Sequence, residues 1–155
     1  MLFEKIIGKL GDAGFSGMEV DTVDFDWHEI YKRLHKKTSR NGKELAVSLD
    51  SSVLSHGLRD GDLLGVDGNT LFAVNILPCE AIVVTADAHL IPKVCYEIGN
   101  KHAALLFGET DSEFVTPYNE PTKQLLEKIG VQVTVKMVKL DFDRAISSTV
   151  SSHTH

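Results

Sequence analysis

Along the first half of the chain, apolar and polar positions alternate in short runs separated by turn residues. Leu2 to Lys9 alternates, and Met18 to Asp26 does so again, with Val20, Val23 and Phe25 set between polar residues. A period of two places alternate side chains on opposite faces of an extended strand. Arg40-Asn41-Gly42-Lys43 is a hairpin signal, because Asn-Gly accepts the positive φ angles of a type I′ turn. It joins an arm ending near Ser39 to the strand Glu44-Leu45-Ala46-Val47-Ser48-Leu49. Asp60-Gly61-Asp62 and Asp67-Gly68-Asn69 bracket Leu63 to Val66, and the run Leu71 to Leu77 follows. Short strands with Gly/Asp turns predict a small all-β barrel or sandwich. Trp27 to Leu34 reads two ways: a helix with apolar residues at 27, 30, 31 and 34 capped by Asp26, or a turn followed by a strand.

The pattern changes at Pro78-Cys79-Glu80, which marks a domain boundary. Ala81 to Thr85 is a strand. Asp87 can cap a helix from about Ala88 to Ile98, with Pro92 in its first turn, where a missing N–H costs little, and Gly99 in the left-handed position at its end. Ala103 to Phe107 and Phe114-Val115 are further strands. Pro121 opens a second helix, Thr122 to Ile129, closed by Gly130, and Val131 to Met137 alternates as a last strand. The order β-α-β-β-α-β is that of a ferredoxin-like unit. The expected fold is therefore α+β: a β-rich domain over 1–77, a ferredoxin-like βαββαβ domain over 78–141, and a mobile C-terminal tail over 142–155 that carries histidines.

Composition narrows the function. Of 155 residues, 43% are hydrophobic and 25% charged, as in ordinary globular proteins. The longest apolar runs, such as Ala81 to Val84, fall far short of the ~20 residues that a membrane span needs. The start of the chain lacks the apolar core of a secretory signal, so a cytoplasmic protein without a membrane partner is expected. A net charge of −6 argues against a nucleic-acid partner, since phosphate affinity comes from Lys and Arg. The basic cluster Lys32-Arg33, Lys36-Lys37 and Arg40 reads as a solvated face.

Enzyme signatures are missing: the sequence has no HExxH, Gly-x-Ser-x-Gly, P-loop or GxGxxG. Cys79 and Cys95 form no CxxC pair, and Cys95 falls in a helical pattern where a buried thiol is the common outcome. Among seven histidines, His28, His35 and His56 have no second ligand at metal spacing and read as structural, and His89 reads as exposed. His102 stands between a helix end and a strand. By itself it is open between a metal ligand and a hydrogen-bonded structural residue. His153 and His155 form His-x-His in the tail, a chelating arrangement for nickel, copper or zinc, though the same pair would also serve as an inert remnant of a longer tail.

The run Cys95-Tyr96-Glu97-Ile98-Gly99-Asn100-Lys101-His102-Ala103-Ala104-Leu105 resembles the urease accessory nickel chaperones of the UreE family. Their hallmark is Gly-Asn-Arg/Lys-His, often followed by x-Pro-Leu. Gly99 to His102 match it, Ala104 stands in place of the frequent proline, and Leu105 matches. The opening Met1-Leu2 with Ile6-Ile7-Gly8, the Leu63-Leu64 region, and Leu125 to Val131 look similar too, so the likeness covers nearly the whole chain.

That resemblance implies an N-terminal domain that binds partner proteins and a C-terminal domain that binds nickel and forms a homodimer. It puts the metal histidine on His102 of each subunit, with His153 and His155 as a short equivalent of a histidine-rich tail. It also implies delivery of nickel to the urease accessory GTPase and the urease apoprotein complex, without turnover. Zinc or copper are the alternative ions in vitro, because both accept imidazole. Two rivals stand beside it. An acylphosphatase-like hydrolase would need an arginine after the first strand of the second domain, and Thr85-Ala86-Asp87-Ala88 has none. An interaction module without metal, in which His102 is structural, is the other.

Overall fold

The computed structural model describes residues 1–146. These fall into two compact units, Met1–Leu77 and the described chain from Pro78 onward. The class is mixed α+β, with three sheets and few helices. No helix among the described residues is long and apolar enough to cross a membrane.

The first unit holds seven strands: β1 (Leu2–Phe3), β2 (Gly8–Lys9), β3 (Glu19–Phe25), β4 (Leu34–Thr38), β5 (Glu44–Ser48), β6 (Asp62–Asp67) and β7 (Thr70–Ile76). One sheet has the order β1-β5-β4 and the other β2-β6-β7-β3. The β1–β5 and β3–β7 pairs are parallel. The stretch Leu2 to Lys9, which alternates like one strand, is two short ones, because the chain leaves the first sheet after Phe3 and joins the second at Gly8. Phe3 packs 5.5 Å from Phe72, centroid to centroid. Any Cβ at Gly65 would lie 2.2 Å from the Phe3 ring, so that approach needs a glycine. Val23, Phe25, Leu63 and Phe72 are wholly buried in this unit.

Trp27 to Leu34 takes the second of its two readings. A single 3₁₀ turn, Trp27–Glu29, precedes β4, and the Glu29 carboxylate accepts the Asp26 N–H at 2.8 Å. The β4–β5 hairpin corrects the type I′ expectation. Gly42 alone is left-handed there (φ 87°), its N–H donates to the Ser39 carbonyl at 2.9 Å, and the Ser39 N–H donates to the Lys43 carbonyl at 2.8 Å. The buried Asp21 carboxylate explains the longer turn: it accepts the Ser39 hydroxyl at 2.6 Å and the Asn41 N–H at 3.2 Å, which ties the loop to β3. A short helix, α1 (Val53–His56), lies between β5 and β6.

The second unit runs β8 (Cys79–Thr85), α2 (Ile91–Asn100), β9 (Leu106–Phe107), β10 (Glu113–Pro117), α3 (Glu120–Ile129) and β11 (Gln132–Val138). Its sheet has the order β11-β8-β10-β9, and every pair is antiparallel. Val94 and Ile98 of α2 and Leu126 of α3 pack with Ile82 and Val84 of β8, so both helices cover one face of the sheet. Each buried aliphatic side chain there contributes roughly 1.5–3 kcal/mol. Pro92 lies in the first turn of α2, which is entered through a 3₁₀ turn over Ala88–Leu90. Asn119 caps α3, where its Oδ1 accepts the Thr122 N–H at 3.1 Å.

Three expectations change in this unit. The strand after His102 begins only at Leu106, since Ala103 to Leu105 form the exit from α2. Residues 142–146, placed in the tail on their polar sequence, form a 3₁₀ turn (Phe142–Arg144) and an antiparallel bridge between Ala145 and Leu106. Gly99 is helical, and the left-handed residue at the end of α2 is His102.

Candidate metal centre

The end of α2 sets the geometry of His102. The Lys101 N–H donates to the Ile98 carbonyl at 3.1 Å, the His102 N–H to the Gly99 carbonyl at 2.9 Å, and the Ala103 N–H to the Ile98 carbonyl at 3.4 Å. The last two bonds are the 5→2 and 6→1 pair of a Schellman motif, which demands a left-handed residue between them. Ala103 packs against the same cluster as Ile98, supplying the apolar contact that accompanies the motif. That contact, five residues apart, decides where the helix turns. Gly99 lies too early to serve.

His102 therefore sits at φ 57°, the one non-glycine with positive φ among the described residues. A side chain there costs on the order of 1 kcal/mol relative to glycine. Strain of that size persists where the surroundings over-determine it, and it concentrates at functional sites. The surroundings here do so. The buried Thr116 hydroxyl donates to the Ala104 carbonyl at 2.7 Å, and the Ile146 N–H donates to the Leu105 carbonyl at 2.9 Å. The imidazole itself is exposed and makes no hydrogen bond or ion pair among the described residues.

His35 shows the opposite condition. It is buried, its Nε2 lies 2.9 Å from the Lys32 carbonyl, and its ring stands edge-on to Phe25 at 5.0 Å. Burial holds its pKa below the usual histidine value. His28 is exposed beside Trp27 and 3.9 Å from the Asp26 carboxylate, His56 ends α1, and His89 is exposed in the turn before α2. Burial raises the pKa of the half-buried Cys79 and Cys95 thiols, which opposes the thiolate form that metals bind.

No group of three His, Cys, Asp or Glu side chains among the described residues comes together to hold a metal. His153 and His155 lie outside the described residues. The last described residue, Ile146, is bonded to Leu105, three positions after His102. Leu140 is buried, and the Arg144 guanidinium donates to the Gly108 carbonyl at 3.3 Å, so this anchored stretch runs beside the His102 exit. Sequence reasoning missed this juxtaposition and the left-handed histidine. The Ile98–Ala103 spacing was the available signal for the second.

His102 thus presents a rigid, exposed imidazole on a helix exit. Comparisons with known proteins supply the family. Residues 3–77 match the family model described as the UreE urease accessory protein, N-terminal domain. The urease accessory protein UreE of Helicobacter pylori strain Shi470 is 44% identical over 143 residues, which is 91% of this chain and 83% of that protein. Those of Helicobacter acinonychis strain Sheeba and Helicobacter bizzozeronii are 42% and 37% identical, over 91% and 95% of this chain and 83% of each relative. The chain belongs to the UreE family of urease accessory proteins, with a role in urease maturation. Its relatives are named as accessory proteins and not as enzymes.

Proposed function

We propose that the protein binds nickel through His102 and delivers it to the urease apoprotein. The observation that carries this is the exposed imidazole of His102, held on a strained, pinned helix exit with no hydrogen bond or ion pair to its ring among the described residues. A structural histidine would be hydrogen-bonded, as His35 is. Neutral imidazole suits late first-row ions, and nickel is favoured over zinc or copper here by the family's role in urease maturation.

One imidazole is too few ligands for a tight site. A two-fold axis close to His102 would double the count, because a residue near such an axis meets its own copy. The homodimer is then part of the site, and metal binding strengthens it by mass action. His153 and His155 supply further ligands. His153 follows Ile146 by seven positions in the sequence, and Ile146 is hydrogen-bonded to Leu105, three positions after His102. A shared set of a few imidazoles holds an ion and still releases it to the accessory GTPase and the urease apoprotein complex, in the cytoplasm. We also read the second unit as ferredoxin-like, on its antiparallel order β11-β8-β10-β9 with both helices on one face.

Calorimetric titration with nickel, paired with sedimentation at low concentration, tests this reading. It requires one tight equivalent per two chains and a dimer strengthened by nickel. One tight equivalent per chain, with association unaffected, contradicts it.

A further inference from the structure

We infer that Thr116 is a positioning residue for nickel binding: its buried hydroxyl fixes the chain that leaves α2, and through that chain the placing of the His102 ring. The inference rests on the reading of His102 as the metal ligand, and it names a residue that keeps that ligand in place.

The register shows what is unusual about a threonine here. Thr116 lies opposite Ile82 of β8, so its side chain shares the sheet face that α2 and α3 cover. It is wholly buried there. Valine has nearly the same shape and would suit such apolar surroundings, whereas a buried hydroxyl is costly unless it is hydrogen-bonded. The Thr116 hydroxyl donates to the Ala104 carbonyl at 2.7 Å, two residues after His102.

That carbonyl lacks a ladder donor for a local reason. Glu113 and Val115 turn their backbone groups toward β9: the Gly108 N–H donates to the Glu113 carbonyl at 2.8 Å, and Val115 pairs with Leu106. Thr116 and Tyr118 turn theirs toward β8, where the Tyr118 N–H donates to the Glu80 carbonyl at 2.9 Å. Hydrogen-bonded pairs in an antiparallel ladder recur at every second residue. The next pair on the β9 side would therefore join Pro117 to Ala104, and proline has no N–H to give. The β9 strand accordingly reaches back only to Leu106, and the Thr116 side chain supplies the donor that Pro117 cannot.

The bond matters because of what lies next to it. The Schellman pair holds His102 from the helix side, and the Thr116 and Ile146 bonds hold the Ala104 and Leu105 carbonyls on the other. His102 is kept at φ 57° between these two sets. Without the hydroxyl the exit can relax, and residue 102 can leave a conformation that a side chain disfavours. Groups that orient a metal ligand without touching the metal typically carry about ten- to a hundredfold in affinity.

The test compares Thr116→Val, Thr116→Ser and the double variant Thr116→Val with Pro117→Ala, all in the full chain, with wild type and His102→Ala as references. Nickel affinity is read by calorimetry. Amide hydrogen exchange at His102 and Ala103 is read in the metal-free protein. Thr116→Val is expected to weaken nickel binding by about tenfold or more and to speed exchange at both amides. Thr116→Ser keeps the hydroxyl and should bind nearly as wild type does. The double variant regains a backbone donor opposite Ala104 and should recover most of the lost affinity. A Thr116→Val protein that melts lower but binds nickel as tightly as wild type makes the threonine merely structural and overturns the inference. Weak binding with unchanged exchange, or a serine variant as weak as the valine one, overturns it equally. Should Thr116→Val not fold, the double variant decides: affinity close to wild type supports the inference, and weak binding overturns it. Nickel binding lost in His102→Ala but unchanged in Thr116→Val removes this inference alone. A His102→Ala protein that binds as wild type does defeats the reading of His102 as ligand, and the role of Thr116 falls with it.

Discussion

The two ten-residue helices of the second unit, α2 and α3, begin alike and end differently. Each has a proline in its first turn, and each buries a narrow apolar stripe on the same face of the sheet. Each also closes through a left-handed residue whose N–H turns back to the last helical turn. In α3 that residue is Gly130 at φ 96°, whose N–H donates to the Leu126 and Glu127 carbonyls. In α2 it is His102 at φ 57°. Glycine is the residue the backbone prefers there, and α3 shows that this fold uses it freely. The difference isolates what the backbone does not explain. The proposed metal-binding role accounts for a histidine held where glycine is more stable, because that role needs the ring.

The largest effect is expected from His102→Ala, which should lower nickel affinity by about a hundredfold or more while circular dichroism and melting report an intact fold. Calorimetric binding that survives the substitution would return His102 to a structural role. Deleting Ser152 to His155 should weaken nickel binding by roughly tenfold with His102 still holding the ion. Complete loss in the truncated protein would make the tail the primary site.

Gly130→Ala probes the other helix. It should destabilise the protein by about 1 kcal/mol, a melting shift of roughly 2–4 °C, and leave nickel binding alone. A Gly130→Ala protein as stable as wild type would show that the left-handed position carries no cost here, and the reading of His102 as strained would lose its basis.

The smallest effect concerns pH and the contrasting histidine. Burial lowers the pKa of His35 in the folded state, so the unfolded chain takes up its proton first. The stability it contributes is whole above the unfolded value of about 6.5 and is lost as pH falls through that value toward the folded one. Metal-free wild type should therefore lose more melting temperature between neutral and mildly acidic pH than His35→Gln does. Parallel profiles would contradict this. Nickel affinity should fall over the same range for a separate reason, since protons compete with metal for imidazole.

Much of the second unit was legible because its punctuation is local. Pro121 and Gly130 bracket α3, and the β-branched runs of β8 and β11 are long enough to identify as strands. The helix end that matters was not, because Gly99 offers the stronger compositional signal while the real stop depends on Ile98 meeting Ala103 in the core. Similarly, Asp141, Asp143 and Arg144 make residues 142–146 look like tail. It takes Leu140 in the core and the Ala145–Leu106 bridge to hold them down. In the first unit, the Asn-Gly turn marked an arm ending near Ser39 and the strand after it, but not which face would stay open, so Leu34 and Leu2 gave no sign of their exposure. As for the proposed metal site, motif and resemblance singled out His102, whereas its strain and the anchoring of the chain beside it are tertiary facts.

The most direct measurement is His102→Gly, followed by both calorimetric nickel titration and thermal unfolding of the metal-free protein. Glycine removes the ring and the backbone cost together, so the two readouts should move in opposite directions. Tight nickel binding should disappear, and the metal-free protein should gain about 1 kcal/mol of stability, melting a few degrees higher than wild type. A His102→Gly protein that keeps its tight nickel site, or one that melts lower than wild type, would contradict the account.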